Sequence, residues 1–150
     1  MSWTGAMTAL AANLTTGAAA IADPITLVRA GMPETITVDQ IAYWASGSRD
    51  SQTGGNTLTK VNRERGVQVV AYLRGSMRAS VADETLELRL IELEGQLLVA
   101  LWADADLGGN AIGITIDEIT YDWAVVGDQV ARTLQFIVWV DLAELATISL

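Results

Sequence analysis

The chain has 150 residues, 18 of them acidic and nine basic, with no cysteine and no histidine, so its formal net charge is −9. Catalysis by a histidine base or a cysteine nucleophile is excluded, as are zinc sites built on thiolate or imidazole. The acidic balance argues against a reader of nucleic acid, because affinity for a phosphate backbone comes from clustered Lys and Arg.

Trp3, Met7, Leu10, Leu14 and Ile21 recur at steps of three, four or seven, one stripe of an α-helix. Asp23-Pro24 is expected to end it, since the residue before proline is pushed out of the helical region. The same stretch is no secretory leader by pattern: no basic residue precedes it, and Asn13, Thr15, Thr16 and Gly17 interrupt its apolar run. Its other face is Ala and Thr rather than charge, which suits a helix covered on two sides by partners. After the turn Gly31-Met32-Pro33, residues Thr35 to Trp44 alternate as a strand, with Ile36, Val38, Ala42 and Trp44 on one face. Ala45 to Thr57, ASGSRDSQTGGNT, lacks any large apolar side chain and is expected to be a loop of functional length.

Alternation resumes from Leu58 to Arg74, charged in its first half and apolar in its second, as in a hairpin that projects from the domain. Gly75-Ser76 breaks it, and Ser80 with Asp83 forms an acidic variant of a capping box. A second helix then runs to about Ala103, striped by Leu86, Leu90, Leu93, Leu97 and Leu101, with Leu98 and Trp102 beside the stripe. Gly108-Gly109-Asn110 stops it. Ile112, Ile114 and Ile116 give way to Ile119, Tyr121, Trp123 and Val125, a phase slip that predicts a β-bulge near Asp117-Glu118. Gly127-Asp128 turns the chain into Val130 to Asp141, apolar on both faces, as for a central strand covered on both sides. The order αββαββ predicts one α+β domain spanning 1–150: a largely antiparallel four-stranded sheet, two helices on it, and an extended first hairpin.

No constellation points to an enzyme. Asp104, Asp106 and Gly109 begin like a calcium loop, but Gly108 and Thr115 stand where ligands belong, so a helix-ending turn is the better reading. Asp117, Glu118 and Asp122 lack a tuned carboxylate partner and read as a solvated strand edge. Gly54-Gly55 lacks the Lys-Ser/Thr of a phosphate loop. Lys60, Arg63 and Arg65 around Glu64 are the one basic emphasis, fitted to cross-strand pairs or subunit contacts. No metal and no cofactor is expected, and no apolar run is long enough to span a bilayer. Apolar residues make up 51% of the chain, with five tryptophans, a surplus over one core that points to a subunit interface.

The N-terminal helix, the Gly31-Met32-Pro33 turn, the strand ending in Trp44, the polar loop, the strand through Val67-Gln68-Val69-Val70, the long helix and the closing hairpin together resemble the tail terminator proteins of long-tailed, siphovirus-like bacteriophages. The resemblance is one of architecture and length over nearly the whole chain, with no invariant motif. It implies a virion protein of the neck that forms a ring, a homohexamer, on the last ring of the tail tube. Such a ring ends tube growth and joins the head completion or connector protein, while DNA passes its lumen without specific binding. It carries over no catalytic residue. Arg49, Asp50, Asn56, Lys60, Arg63, Arg65, Trp44 and Trp139 are the candidate protein-interface residues, with the segment Ser46 to Asn56 expected to dock on an adjacent protein. Other ring-forming virion proteins, such as a tube or head-completion protein, are the nearest alternative. A small binding protein or carboxylate enzyme is a remote one.

Overall fold

The computed structural model describes residues 2–50, 60–74 and 84–147, with the backbone alone for 60–62 and 143–147. Helix α1 (Trp3–Ala19) starts at Ser2, whose hydroxyl accepts the Gly5 N–H at 3.0 Å and satisfies an otherwise orphaned amide of the first turn. It buries Ala6, Leu10, Leu14, Gly17 and Ala18, with Trp3 and Met7 half-buried at the rim. The helix ends ahead of Asp23-Pro24. The Ala20 N–H turns back to the Gly17 carbonyl at 3.2 Å, and Ile21 and Ile25 then drop into the core.

Strand β1 (Leu27–Ala30) pairs in parallel with β2 (Gln40–Asp50), which pairs antiparallel with β3 (Lys60–Arg74). Helix α2 (Glu84–Ala103) leads to β4 (Gly113–Val126) and β5 (Gln129–Thr147), and the sheet order is β1-β2-β3-β5-β4. The class is α+β, as expected, with five strands instead of four. β1 escaped notice because four residues are too few to establish a period, and its partner is chosen by packing beside α1.

Three boundaries differ from the sequence reading. Thr35 to Asp39 is no strand: Ile36 is buried against Ala42, Val70, Tyr72 and Ala131, so this segment crosses over one end of the sheet. The expected loop is strand as far as Asp50, its register shifted by a bulge between Ala45 and Gly47. Polar residues hold that stretch without an apolar face because cross-strand ion pairs replace packing. The last strand continues to Thr147, and Lys60 to Arg63 pair with it, so the far half of the first hairpin is flanked by β5. The rest of the loop (51–57), Gly75-Ser76 and the capping box Ser80/Asp83 lie outside the described residues.

The bulge in β4 is where the phase slip puts it: the register against β5 shifts between Asp117 and Thr120, and Glu118 has φ +54. Both helices lie on one face of the sheet. There Leu90, Leu93, Leu97 and Leu101 of α2 meet Val67, Val69, Phe136 and Val138 in the main core. A Cβ on Gly17 would lie 2.9 Å from the Gln96 carbonyl and from Leu97 Cα, so glycine lets the two helices come this close. Among the described residues no helix lies on the reverse face. The crossing segment covers one end of it, and Ile137 and Trp139 stay half-buried farther along, so β5 is central but, among the described residues, fully covered on the helix side alone.

Candidate assembly surfaces

Strand alternation puts Arg49, Glu64, Gly66 and Trp139 together on the reverse face. The Arg49–Glu64 and Asp50–Arg63 pairs sit directly opposite in the β2/β3 register, and Gly66 sits opposite Trp139 in β3/β5. Arg49 Nε donates to Glu64 Oε2 at 2.9 Å, Arg49 Nη1 lies 3.4 Å from Asp117 Oδ2 across the sheet, and the guanidinium carbon stands 4.2 Å above the centre of the Trp139 ring. Glu64 is 1% exposed. A buried carboxylate is tolerated only with partners, and the planar guanidinium, bonded at its edge and stacked on an indole through its face, is well shaped to be one. Gly66 makes room for this: a Cβ there would lie 2.9 Å from the Trp139 ring.

Of the residues expected to meet a partner, four thus join one cluster or its border: Arg49, Trp139, and the Asp50–Arg63 pair at 3.5 Å. Trp44 lies half-buried on the same face, beside the Ile36 cluster. Arg65 points the other way, over the Trp3 ring of α1 at 5.7 Å. Asn56 and the Lys60 side chain lie outside the described residues.

A second surface was not anticipated. On α2 the residues Leu88, Ile91, Val99 and Trp102, at helical spacing around Gly95, are 59, 54, 65 and 51% exposed. This outward stripe is apolar because the acids of the helix are engaged elsewhere. Arg132 Nε donates to Glu87 at 2.7 Å, the Tyr121 hydroxyl donates to Glu94 at 2.8 Å, and Glu92 accepts the Ala22 N–H at 2.9 Å. Burial, and then the bond to Glu94, push the Tyr121 hydroxyl up to about 12. Beside the helix, β4 is the sheet edge and leaves Ile119, Tyr121, Trp123 and Val125 exposed, so the α2/β4 flank carries exposed apolar side chains on both helix and strand, joined by the Tyr121–Glu94 bond. The signal was legible, since Leu88, Ile91 and Val99 give α2 a second stripe opposite the leucine one.

The acidic turn after α2 is internal structure. Asp104 Oδ1 accepts the Gly108 N–H and Oδ2 the Asn13 amide, both at 2.9 Å, and these bonds, Asn13 first, hold its carboxyl below the usual range. Among the described residues no three His, Cys, Asp or Glu side chains are placed to hold a metal ion, and no helix is long and apolar enough to cross a membrane.

No protein-family model matches the chain, and no characterised protein matches it by sequence. A solved structure does match: the PVC sheath/tube terminator of an extracellular contractile injection system, in its extended state, aligns over 99% of this chain with a TM-score of 0.50 and 14% identity. The fold is terminator-like. This chain spans 57% of the length of that terminator. Among the described residues the helix-covered face is closed by the chain itself, while most of the reverse face and the α2/β4 flank have no covering element.

Proposed function

We propose that this chain is a structural protein that closes into a homohexameric ring on the last ring of a tail tube. The ring ends tube polymerisation and presents the surface on which the next component sits. In a siphovirus-like virion that component is the head completion or connector protein, the ring belongs to the neck, and it is assembled in the host cytoplasm. The observation that carries the reading is the terminator-like fold running through essentially the whole chain. Support comes from the two uncovered surfaces, which are apolar beyond what one core needs. The acidic balance suits a lumen through which DNA slides without specific binding.

In this role the chain performs no catalysis and uses no cofactor. Trp44, Arg49, Asp50, Arg63 and Trp139, with Asn56, Lys60 and Arg65, meet an adjacent protein of the particle, and 1–150 acts as one unit. A second reading is favoured by the identity of the structural neighbour: the same ring would cap the tube and sheath of a contractile device.

Tube assembly with and without the chain tests the role. Omission is expected to give tubes of uncontrolled length in electron micrographs, and adding the chain back to restore a defined length with a ring at one end. Tubes whose length ignores the chain would overturn the proposal. Imaging the capped end separates the two readings, by a sheath around the tube or a head connector above it.

A further inference from the structure

We infer that the ring contact, on the ring reading proposed above, is made between opposite edges of the sheet: the α2/β4 flank of one copy docks on the α1/β1 flank of the next. A head-to-tail ring needs two different surfaces that fit each other. Both are present, at the two ends of the same sheet.

Charge is the first argument. The register aligns Arg29 with Ala42, Ala42 with Val70, Val70 with Gln135, and Gln135 with Thr120, so one transverse row of the sheet runs from Arg29 on one edge to Thr120 on the other. Glu118 and Asp122 flank Thr120 and have no cationic partner among the described residues, and exposed Arg29 has no anionic one. The chain holds nine basic residues against 18 acidic ones, which makes an edge-strand arginine without an anionic partner among the described residues notable. Continuing the sheet into a second copy at the same level sets that arginine between the two acids. Pairing β4 with β4 about a two-fold axis would instead set Glu118 and Asp122 against their own copies, a like-charge contact that disfavours a closed dimer.

Shape is the second argument. On the Arg29 side, Trp3, Thr4, Met7, Thr8, Ala11 and Tyr43 line an open groove of about 480 Å³ between α1 and β2, with no charged side chain in its wall. The opposite flank offers protruding side chains without charge: Ile91, Val99 and Trp102. Large apolar side chains seated on a surface of small neutral ones bury area at no cost in unpaired polar groups. This also accounts for an outward face of α1 made of Ala and Thr.

The test uses two full-length variants, Arg29→Glu and the double variant Glu118→Arg with Asp122→Arg, compared with the wild type by native mass spectrometry and by ring counting on tube ends. Circular dichroism checks that each folds. Each variant alone is expected to self-associate at least about tenfold more weakly than wild type, because like charges then meet across the contact. Mixed in equal amounts they are expected to recover rings in which the two variants alternate, since each acidic edge again meets a basic one. Folded variants that each form rings as well as wild type, or a mixture that stays dissociated, would overturn the edge pairing while leaving the ring itself standing. A wild-type chain that is monomeric both free and on tube ends removes the ring reading, and this inference with it.

Discussion

The two faces of the sheet are built from the same strands with the same alternation, yet they end in different environments. On the helix side Phe136, Val138, Leu97 and Leu101 are almost wholly withdrawn from water. On the reverse side the neighbours in sequence, Ile137 and Trp139, are only half-buried, and charge pairs do part of the work of packing. Alternation therefore marks which residues share a face, not what covers it. Among the described residues the helix side is closed by the chain's own helices, while the reverse side is covered only at the end where Ile36 packs.

Substitutions at adjacent positions sharpen this contrast most. Phe136→Ala is expected to cost the free chain about 3–5 kcal/mol, through lost burial and a cavity beneath the helices, read as a shifted midpoint of urea unfolding. Ile137→Ala, one residue on but on the reverse face, is expected to cost about 1 kcal/mol or less. Equal losses would mean that the reverse face is covered in the free chain.

Gly17→Ala pushes a methyl group against the backbone of α2 and is expected to cost about 1–3 kcal/mol. Glu64→Ala removes the buried partner of Arg49 on the open side and is expected to cost about 1–3 kcal/mol, with Trp139 fluorescence changing as the stacked guanidinium is released. An unchanged fluorescence would show that the stack does not depend on the ion pair.

Paired Leu88→Ser and Val99→Ser changes should leave stability within about 0.5 kcal/mol, since both side chains face outward, while weakening self-association measured by sedimentation. A large loss of stability without loss of association would make the α2 stripe part of the chain's own packing. The smallest effect concerns pH. Tyr121 titrates higher folded, at about 12, than its ordinary 10.0, so its contribution is complete below pH 10 and is lost as pH rises toward 12. Its partial exposure keeps the effect modest. Tyr121→Phe is expected to flatten that alkaline limb of the stability curve, and an unchanged limb would assign it to other groups.

Much of the fold was legible because it rests on local period. The leucine stripe of α2, the glycine stop at 108–109 and the bulge at Glu118 follow from spacing alone, and all three stand in the structure. Where reading failed, the cause was a local pattern overridden by distant residues. Ser46 to Asp50 looks like loop because nothing in it is apolar, but Arg49 and Asp50 find their partners on β3, which makes strand of a polar stretch. Ile36 looks like strand by alternation, but the segment bearing it is held as a cover over Val70 and Tyr72. The interface candidates show the same division between residue type and placement. Residue type singled out Arg49 and Trp139, which fold together into one stack, while the exposure of Trp102 and Trp123 is visible only in the fold.

By itself the sequence determined the class, the buried stripe of each helix, the alternating faces of β3, β4 and β5 and the exclusion of histidine and cysteine chemistry, since those depend on composition and on periods shorter than a dozen residues. The tertiary structure alone decided that both helices share one face, that Arg49 bridges Glu64 and Asp117, and that Arg29 and Thr120 end the same row at opposite edges. These depend on strand order and register, set by the packing energy of the whole chain and carried by no segment of it.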